Sequence, residues 1–306
     1  MLGIIPVKGQ LVIDIKKDLQ WLVNTQPIIN CPADIDLFIP STHLEDLDHW
    51  PAYTIAYPAP PAYRLGQQFE DCIAVLFQHS KQAKLLYRNL VITGEKRTLG
   101  ELDCLYENTK KSCIHLELAI KFYLYTGVAH DGTKSTETKL DSFIGPGGKD
   151  RLDKKWKRLI EHQLPLSKTP AALQAVHSAG FPTPEQHQLL LTGILFYPYA
   201  NWQSFIPHNQ LINPQHLRGW WLFQQQIDAL QNEEASCFII LPRWHWMGGI
   251  AHYDTLSPLS FAQMKQQVCE DNKPKMLACV QWDSTQQCWH EASRGFVVRD
   301  NWPTPL

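Results

Sequence analysis

The sequence lacks a strong net charge and any long apolar run. It contains 28 Lys and Arg residues against 30 Asp and Glu residues, a formal charge of -2 at pH 7. A nucleic acid would therefore have to be bound by a local basic patch rather than by overall attraction. No segment approaches the ~18 consecutive apolar residues of a membrane-spanning helix, and the N-terminus has no basic start followed by an apolar stretch and a cleavage site. These absences predict a soluble, cytoplasmic protein with no membrane partner.

Several chemical signatures are also missing. The eight cysteines are scattered, with no C-x-x-C pair and no Cys/His cluster of zinc spacing, so we expect reduced and mostly buried thiols. No G-x-S-x-G elbow or local cysteine-protease signature is present, which leaves an acyl-transfer enzyme without support. There is no internal repeat or low-complexity tract. The composition, 44% hydrophobic and 19% charged, is that of a globular protein.

The pattern of apolar residues predicts an α/β protein. A short amphipathic helix and a proline-rich connector come first, at 14–24 and 51–64. Then follow a helix, three strands, a helix and a strand, which we expect to form a mixed sheet. These elements are a helix at 63–80, a strand at 83–92, two strands within 100–121, a basic helix at 150–164, a short helix near 170–178 and an apolar strand at 187–199.

The composition changes near residue 200. Eight of the eleven tryptophans lie beyond it, so we expect an additional Trp-rich C-terminal lobe whose role is unknown and which offers a surface to a protein partner. The sequence thus predicts three parts. These are an N-terminal helical segment and connector at 1–62, a core at 63–200 and the C-terminal lobe at 201–306.

The stretch "GELDCLYENTKKSCIHLELAIK" (100–121) reads as a hairpin with two distinct faces. Alternate side chains of a strand share a face, so Ile114, Leu116, Leu118 and Ile120 form one apolar face. Burial of that face turns Asp103 and Glu117 to the same opposite side. If residue 103 opposes 117, then 107 opposes 113 and the loop is 108–112.

Two carboxylates in this register would converge. Opposed Cβ atoms lie about 5 Å apart, where like charges are destabilising unless a cation lies between them, and Mg²⁺ and Mn²⁺ prefer such oxygen ligands. Lys121 shares the face but lies roughly 13 Å further along the strand, so its side chain must reach back. The alternative is an ordinary half-exposed hairpin, because Asp, Glu and Lys are also what a solvated face carries.

The basic helix provides the local positive charge that the whole chain lacks. Its candidate phosphate-binding residues are Lys149, Arg151, Lys154, Lys155, Lys157 and Arg158. Gln163, on the buried side of the same helix, is predicted to approach the hairpin. A solvated helix face with no ligand explains the charges equally well.

The order of elements, with "GELD" and "HLELAIK" on adjacent strands, resembles the core of the PD-(D/E)XK nuclease superfamily, which has a restriction-endonuclease-like fold. The stretches "RLGQQFE", "TLGELDCL", "HLELAIKFYL" and "GPGGKDRLDKKWKRLIEHQL" resemble an uncharacterised bacterial family labelled domain of unknown function 1853. This second resemblance covers roughly residues 14–200 well and the remainder weakly.

The resemblance implies Asp103 and Glu117 as ligands of Mg²⁺ or Mn²⁺, Glu70 as an accessory acid and a lysine that orients the attacking water. The usual motif has that lysine two residues after the glutamate, but residue 119 is alanine and the lysine stands at 121. We therefore expect a Mg²⁺-dependent nuclease acting on DNA in preference to RNA. The alternative is a degenerate nuclease fold that serves as a nucleic-acid-binding or assembly scaffold.

Overall fold

The computed structural model of the chain describes residues 10–44, 47, 50, 53–127, 137–232, 237–248 and 257–304. Residues 1–9 of the predicted N-terminal segment lie outside this set. Over the described residues the protein is α/β, with six α-helices and a large mixed sheet. None of the helices in these ranges has both the length and the apolar character needed to cross a membrane.

The chain divides into two compact units. The first comprises Met1–Ile120 and Lys155–Thr192, and the second comprises Lys121–Lys154 and Gly193–Leu306. Each unit therefore combines separate segments of the chain, and the predicted succession of parts at 1–62, 63–200 and 201–306 stays a prediction.

The first unit contains the predicted helix and strands of the core. Its elements begin with β1 (Gln10–Asp14), α1 (Lys16–Asn24), β2 (Asp36–Leu37), β3 (Thr54–Pro58), α2 (Leu65–His79), β4 (Ala83–Thr93) and β5 (Thr98–Asn108). Strand β6 (Cys113–Tyr125) pairs antiparallel with β5, and β5 pairs antiparallel with β4. Each strand of this meander carries buried apolar side chains, and α2, whose Phe69, Cys72, Ile73 and Leu76 are all buried, contacts β4.

The proline-rich connector is more ordered than the sequence indicates. Within it β3 pairs antiparallel with β1 over five residue pairs, from Gln10–Pro58 to Asp14–Thr54. Pro58 is the last residue of β3, and Pro60 and Pro61 lie beyond it, so these prolines do not interrupt the middle of the strand. The prediction of a plain extended connector was therefore incomplete.

A composite helix follows the β6 strand. It begins as α3 (Leu152–Arg158), passes through one π-helical segment at Leu159–Gln163 and ends as α4 (Leu164–Leu166). Helix α5 (Pro170–Ser178) then starts at an N-cap threonine and coincides with the predicted short helix. Strand β8 (Gln186–Pro198) matches the predicted apolar strand, and both β6 and β8 supply residues to each unit.

The second unit contains the short strand β7 (Phe143–Ile144) and the Trp-rich segment. Its later elements are β9 (Leu217–Phe223), β10 (Cys237–Leu241), α6 (Phe261–Cys269), β11 (Lys275–Asp283) and β12 (Cys288–Val298). Strands β10, β11 and β12 pair antiparallel, whereas β9 pairs parallel with both β12 and β8. Trp220 is fully buried and joins a core with Phe238, Met264 and Leu277. Trp220 therefore fills the core of this unit.

Candidate functional site

The hairpin of β5 and β6 has the register that the alternation of its residues predicts. Glu107 opposes Cys113 and Cys104 opposes Leu116, which puts Asp103 opposite Glu117. The backbone N–H of Leu118 donates a hydrogen bond of 2.8 Å to Asp103 Oδ2. The predicted register, in which Glu107 opposes Cys113, is therefore observed, and the role of Asp103 and Glu117 as a converging ligand pair stays a prediction.

The polar face is buried on β6, whereas on β5 Asp103 is half-buried and Glu101 is exposed, so the half-exposed alternative fails for β6 only. Glu117 and His115 are both 0% exposed, and Cys113 and Ala119 on the same face are also buried. The composite helix supplies part of the cover, because Gln163 reaches Glu117. Because both faces of β6 are buried around Glu117, contact with solvent does not explain the presence of this acidic side chain.

Each carboxylate oxygen of Glu117 accepts a hydrogen bond. Gln163 Nε2 donates to Oε2 at 2.7 Å, and His115 Nε2 lies 2.9 Å from Oε1. Burial lowers the pKa of His115 to about 4, so this contact is a hydrogen bond from a neutral ring rather than an ion pair. The other ring nitrogen, Nδ1, is buried and has no hydrogen-bond partner among the described residues.

The surroundings of Asp103 and Glu117 make ionisation of both carboxyl groups less favourable than in water. Burial raises the pKa of Asp103, and the negative charge of Glu117 raises it further. Burial likewise raises the pKa of Glu117, and among the neighbouring charges the ammonium group of Lys155 opposes this increase most strongly. Burial therefore disfavours the ionised form of each group, and the charge of Glu117 disfavours that of Asp103 in addition, whereas hydrogen bonding with Asp103 favours the ionised form of Glu117.

Glu70 on α2 belongs to the same electrostatic neighbourhood, since its negative charge also raises the pKa of Asp103. It accepts a hydrogen bond of 3.0 Å from Asn89 Nδ2, and Arg88 lies 3.9 Å away. The strand pairs on either side of Asn89 put it opposite Asp103, and its φ of 55° is unusual for a residue other than glycine. A strained residue beside an acidic cluster is a common feature of functional sites.

The basic residues of the composite helix and its entry turn have different environments. Lys149, Lys154, Lys157 and Arg158 are exposed, whereas Arg151 and Lys155 are half-buried. Arg151 makes two hydrogen bonds with Asp153, and Lys157 lies 3.8 Å from Glu161. Lys155 Nζ donates to Gln163 Oε1 at 3.0 Å. Through Gln163, Lys155 is linked by two hydrogen bonds to Glu117.

The predicted lysine, Lys121, forms an ion pair in the second unit. Its Nζ atom lies 2.6 Å from Asp150 Oδ2. The backbone around it is tightly packed, because a Cβ atom on Gly193 would lie 1.7 Å from the Lys121 carbonyl oxygen. Its role as the water-orienting lysine stays a prediction.

Three neighbours of the site were not singled out as functional from the sequence: His115, Arg88 and Asn89. His115 is two residues before Glu117, so the alternation of strand side chains already placed it on the same face. Nothing in the sequence marked Asn89, because its position depends on the left-handed backbone of β4 and on the pairing of β4 with β5.

Asp103 and Glu117 could bind a divalent cation that keeps water molecules among its ligands. Among the described residues, no group of three or more His, Cys, Asp or Glu side chains has the geometry of a metal site. Mg²⁺ usually keeps several waters and is bound by one or two carboxylates together with substrate phosphates. Two convergent and destabilised carboxylates, Asp103 and Glu117, fit that kind of site.

Comparison with known proteins gives a family but no activity. A family model described as "Domain of unknown function (DUF1853)" matches residues 17–298. No curated protein and no solved structure matches the chain. The match extends well beyond residue 200 and includes residues of both units.

Proposed function

The chain belongs to the family of domains of unknown function 1853, and from its buried carboxylate pair we propose that it is a Mg²⁺-dependent nuclease. The reaction would be hydrolysis of phosphodiester bonds in nucleic acid, with DNA as the preferred substrate. The observation that carries the proposal is a half-buried Asp103 held by the backbone of Leu118, next to the fully buried Glu117 on the neighbouring strand. We propose further that the first unit has a PD-(D/E)XK core, which the succession of α2, three antiparallel strands, the composite helix and β8 supports.

Asp103 and Glu117 would hold the metal, with Mn²⁺ as an alternative to Mg²⁺. A bound divalent ion supplies Lewis-acid chemistry, which neutralises phosphate charge and lowers the pKa of water. His115 and Gln163 fix the rotamer of Glu117 by donating to both of its oxygens, and Leu118 N–H fixes Asp103. Asn89 and Arg88 orient Glu70 as an accessory acid. Such second contacts are what keeps a ligand pair in one geometry.

The exposed basic residues would bind the substrate backbone. Lys149, Lys154, Lys157 and Arg158 expose their side chains on the composite helix and its entry turn, where they can meet phosphate oxygens without reading base sequence. Arg151 is already engaged with Asp153, so it would contribute less unless that pair opens. This local patch supplies the attraction that a net charge of -2 does not.

The rival candidate is a nuclease-like scaffold that binds nucleic acid or a protein without cutting. The observation that favours it is the ion pair of Lys121 with Asp150, which occupies the lysine implied by the resemblance. Under this reading the Trp-rich second unit would be the surface for a protein partner. Metal binding and cleavage separate the two candidates.

The test is hydrolysis of labelled linear, single-stranded and branched DNA, and of RNA, in Mg²⁺ or Mn²⁺. Wild type is compared with Asp103→Asn, Glu117→Gln and the control Glu101→Gln, which removes an exposed acid from the same strand as Asp103. We expect both site variants to lose at least about 100-fold in rate and the control to keep wild-type activity. Absence of cleavage by wild type, with no metal bound in calorimetry, would favour the scaffold.

A further inference from the structure

A lysine outside the sequence motif, Lys155, is connected to the carboxylate pair through Gln163. Lys155 Nζ donates to Gln163 Oε1 at 3.0 Å, and Gln163 Nε2 donates to Glu117 Oε2 at 2.7 Å. An ammonium group has only donors, so its contact fixes the orientation of the Gln163 amide and leaves the amide nitrogen for Glu117. The three side chains form one ordered chain of hydrogen bonds.

The shape of the composite helix makes this chain of contacts available. Each α-helical residue advances by about 100°, so residues eight apart in an uninterrupted α-helix point about 80° away from each other. The π-helical segment at Leu159–Gln163 has wider turns, which brings Gln163 back toward the face that carries Lys155. Single π-helical segments of this kind frequently mark functional sites.

The electrostatics of the site also single out Lys155. Among the charges near Glu117, its ammonium group does most to favour the ionised form, and it favours the ionised form of Asp103 as well. Lys155 is half-buried, whereas Lys154, Lys157 and Arg158 on the same helix are exposed. Lys121, by contrast, is paired with Asp150.

We propose that Lys155 supplies the ammonium group of this site, the role that the sequence resemblance implies for Lys121. The assignment rests on the proposed nuclease function. In the hydrolysis, the oxygen of a water forms a bond to phosphorus, the bond from phosphorus to the leaving oxygen breaks, and the proton of the water passes through solvent to that oxygen. Lys155 stays protonated and donates hydrogen bonds that stabilise negative charge on the attacking and phosphate oxygens.

The first measurement is Mn²⁺ affinity by calorimetry, which does not depend on cleavage. Lys155→Met removes a positive charge beside the carboxylates, so we expect Mn²⁺ to bind about three- to tenfold more tightly. Lys168→Met removes an exposed charge just beyond the composite helix and is the matched control, with unchanged affinity expected. Asp103→Asn identifies the binding site by losing it. Equal affinities for wild type and Lys155→Met would overturn the assignment.

The second measurement is steady-state cleavage of the best DNA substrate. We expect Lys155→Met to lower kcat at least 100-fold while changing KM less than threefold, and Lys155→Arg to recover a measurable part of kcat. Lys157→Met is expected to raise KM instead, because it removes only a phosphate contact. A larger loss of kcat in Lys121→Met than in Lys155→Met would return the role to Lys121. Thermal melts verify that every variant is folded.

Failure of this assignment and failure of the nuclease function give different results. If wild type cleaves DNA and Lys155→Met cleaves it equally well, the function stands and the assignment is wrong. If wild type cleaves no substrate but the Mn²⁺ affinity shifts as expected, the function is wrong and the catalytic role of Lys155 is wrong with it.

Discussion

Neutralising one member of the carboxylate pair should stabilise the protein when no divalent ion is present. Two unit charges about 5 Å apart repel by about 3 kcal/mol at an effective dielectric constant of 20. Asp103→Asn removes this repulsion and keeps an oxygen for the N–H of Leu118. The weaker hydrogen bond to a neutral acceptor and the lost attraction to Lys155 offset about 1–2 kcal/mol of the gain. The variant should therefore be about 1–2 kcal/mol more stable than wild type.

The assay is urea unfolding at pH 8.5, followed by tryptophan fluorescence, first with a chelator and then with Mn²⁺. At 100 times its dissociation constant the ion stabilises wild type by about 2.7 kcal/mol, and Asp103→Asn gains nothing, so the order of stability should reverse. Glu101→Gln, exposed on the same strand, should stay within about 0.5 kcal/mol of wild type in both conditions. A loss of stability in Asp103→Asn without metal would show that the pair is neutralised by the protein itself, and the reasoning would be refuted.

Three other predictions concern the frame of the fold. Gly193→Ala should lower the free energy of unfolding by more than about 3 kcal/mol, because its Cβ would meet the Lys121 carbonyl oxygen. Gly180→Ala, also at positive φ but in open space, should lower it by about 1 kcal/mol. Comparable melting temperatures for the two variants would contradict this. Burial lowers the pKa of His216 to about 4 against 6.5 when unfolded, so the unfolded state binds more protons and stability should fall as pH drops. The contribution of His216 alone should be about 2 kcal/mol smaller at pH 5 than at pH 7.5, measured as the difference between wild type and His216→Gln at the two pH values, and an identical pH dependence in the two proteins would contradict this. Ser260→Ala removes the capping box of α6 and should cost about 1 kcal/mol in urea unfolding, with no effect on Mn²⁺ affinity.

The register of the hairpin could be read from the sequence because burial leaves only one solution. Ile114, Leu116 and Leu118 must face a core, and this requirement fixes the side of Asp103 and Glu117 before any contact is known. The same argument could not say whether the opposite face is covered. Covering depends on how the composite helix packs, and the burial of His115 and Glu117 is a property of that packing.

The contact of Lys155 with Gln163 could not be predicted from the sequence, for a related reason. The sequence indicates a single amphipathic helix at 150–164, in which Lys155 is one of five Lys and Arg residues. The π-helical segment changes the direction of Gln163 relative to Lys155, and no residue in "LIEHQ" signals that change. In the same way, the pairing of β3 with β1 could not be predicted, because a proline-rich stretch indicates a connector unless a partner strand is known.

The cost of the buried polar set bears on the choice between nuclease and scaffold. Glu117 is fully buried next to a second carboxyl group, and the Nδ1 atom of His115 has no partner within the described residues. Each of these features lowers stability by an amount that replacement with apolar side chains of similar volume would recover. A scaffold that binds its partner through surface side chains has no use for these buried groups, and a hydrolase uses them only when the substrate phosphate gains access to Glu117. A hydrolase gains a preorganised carboxylate whose two oxygens are held by His115 and Gln163, with an ammonium group one residue away through Gln163, and this favours the reading in which the site performs chemistry.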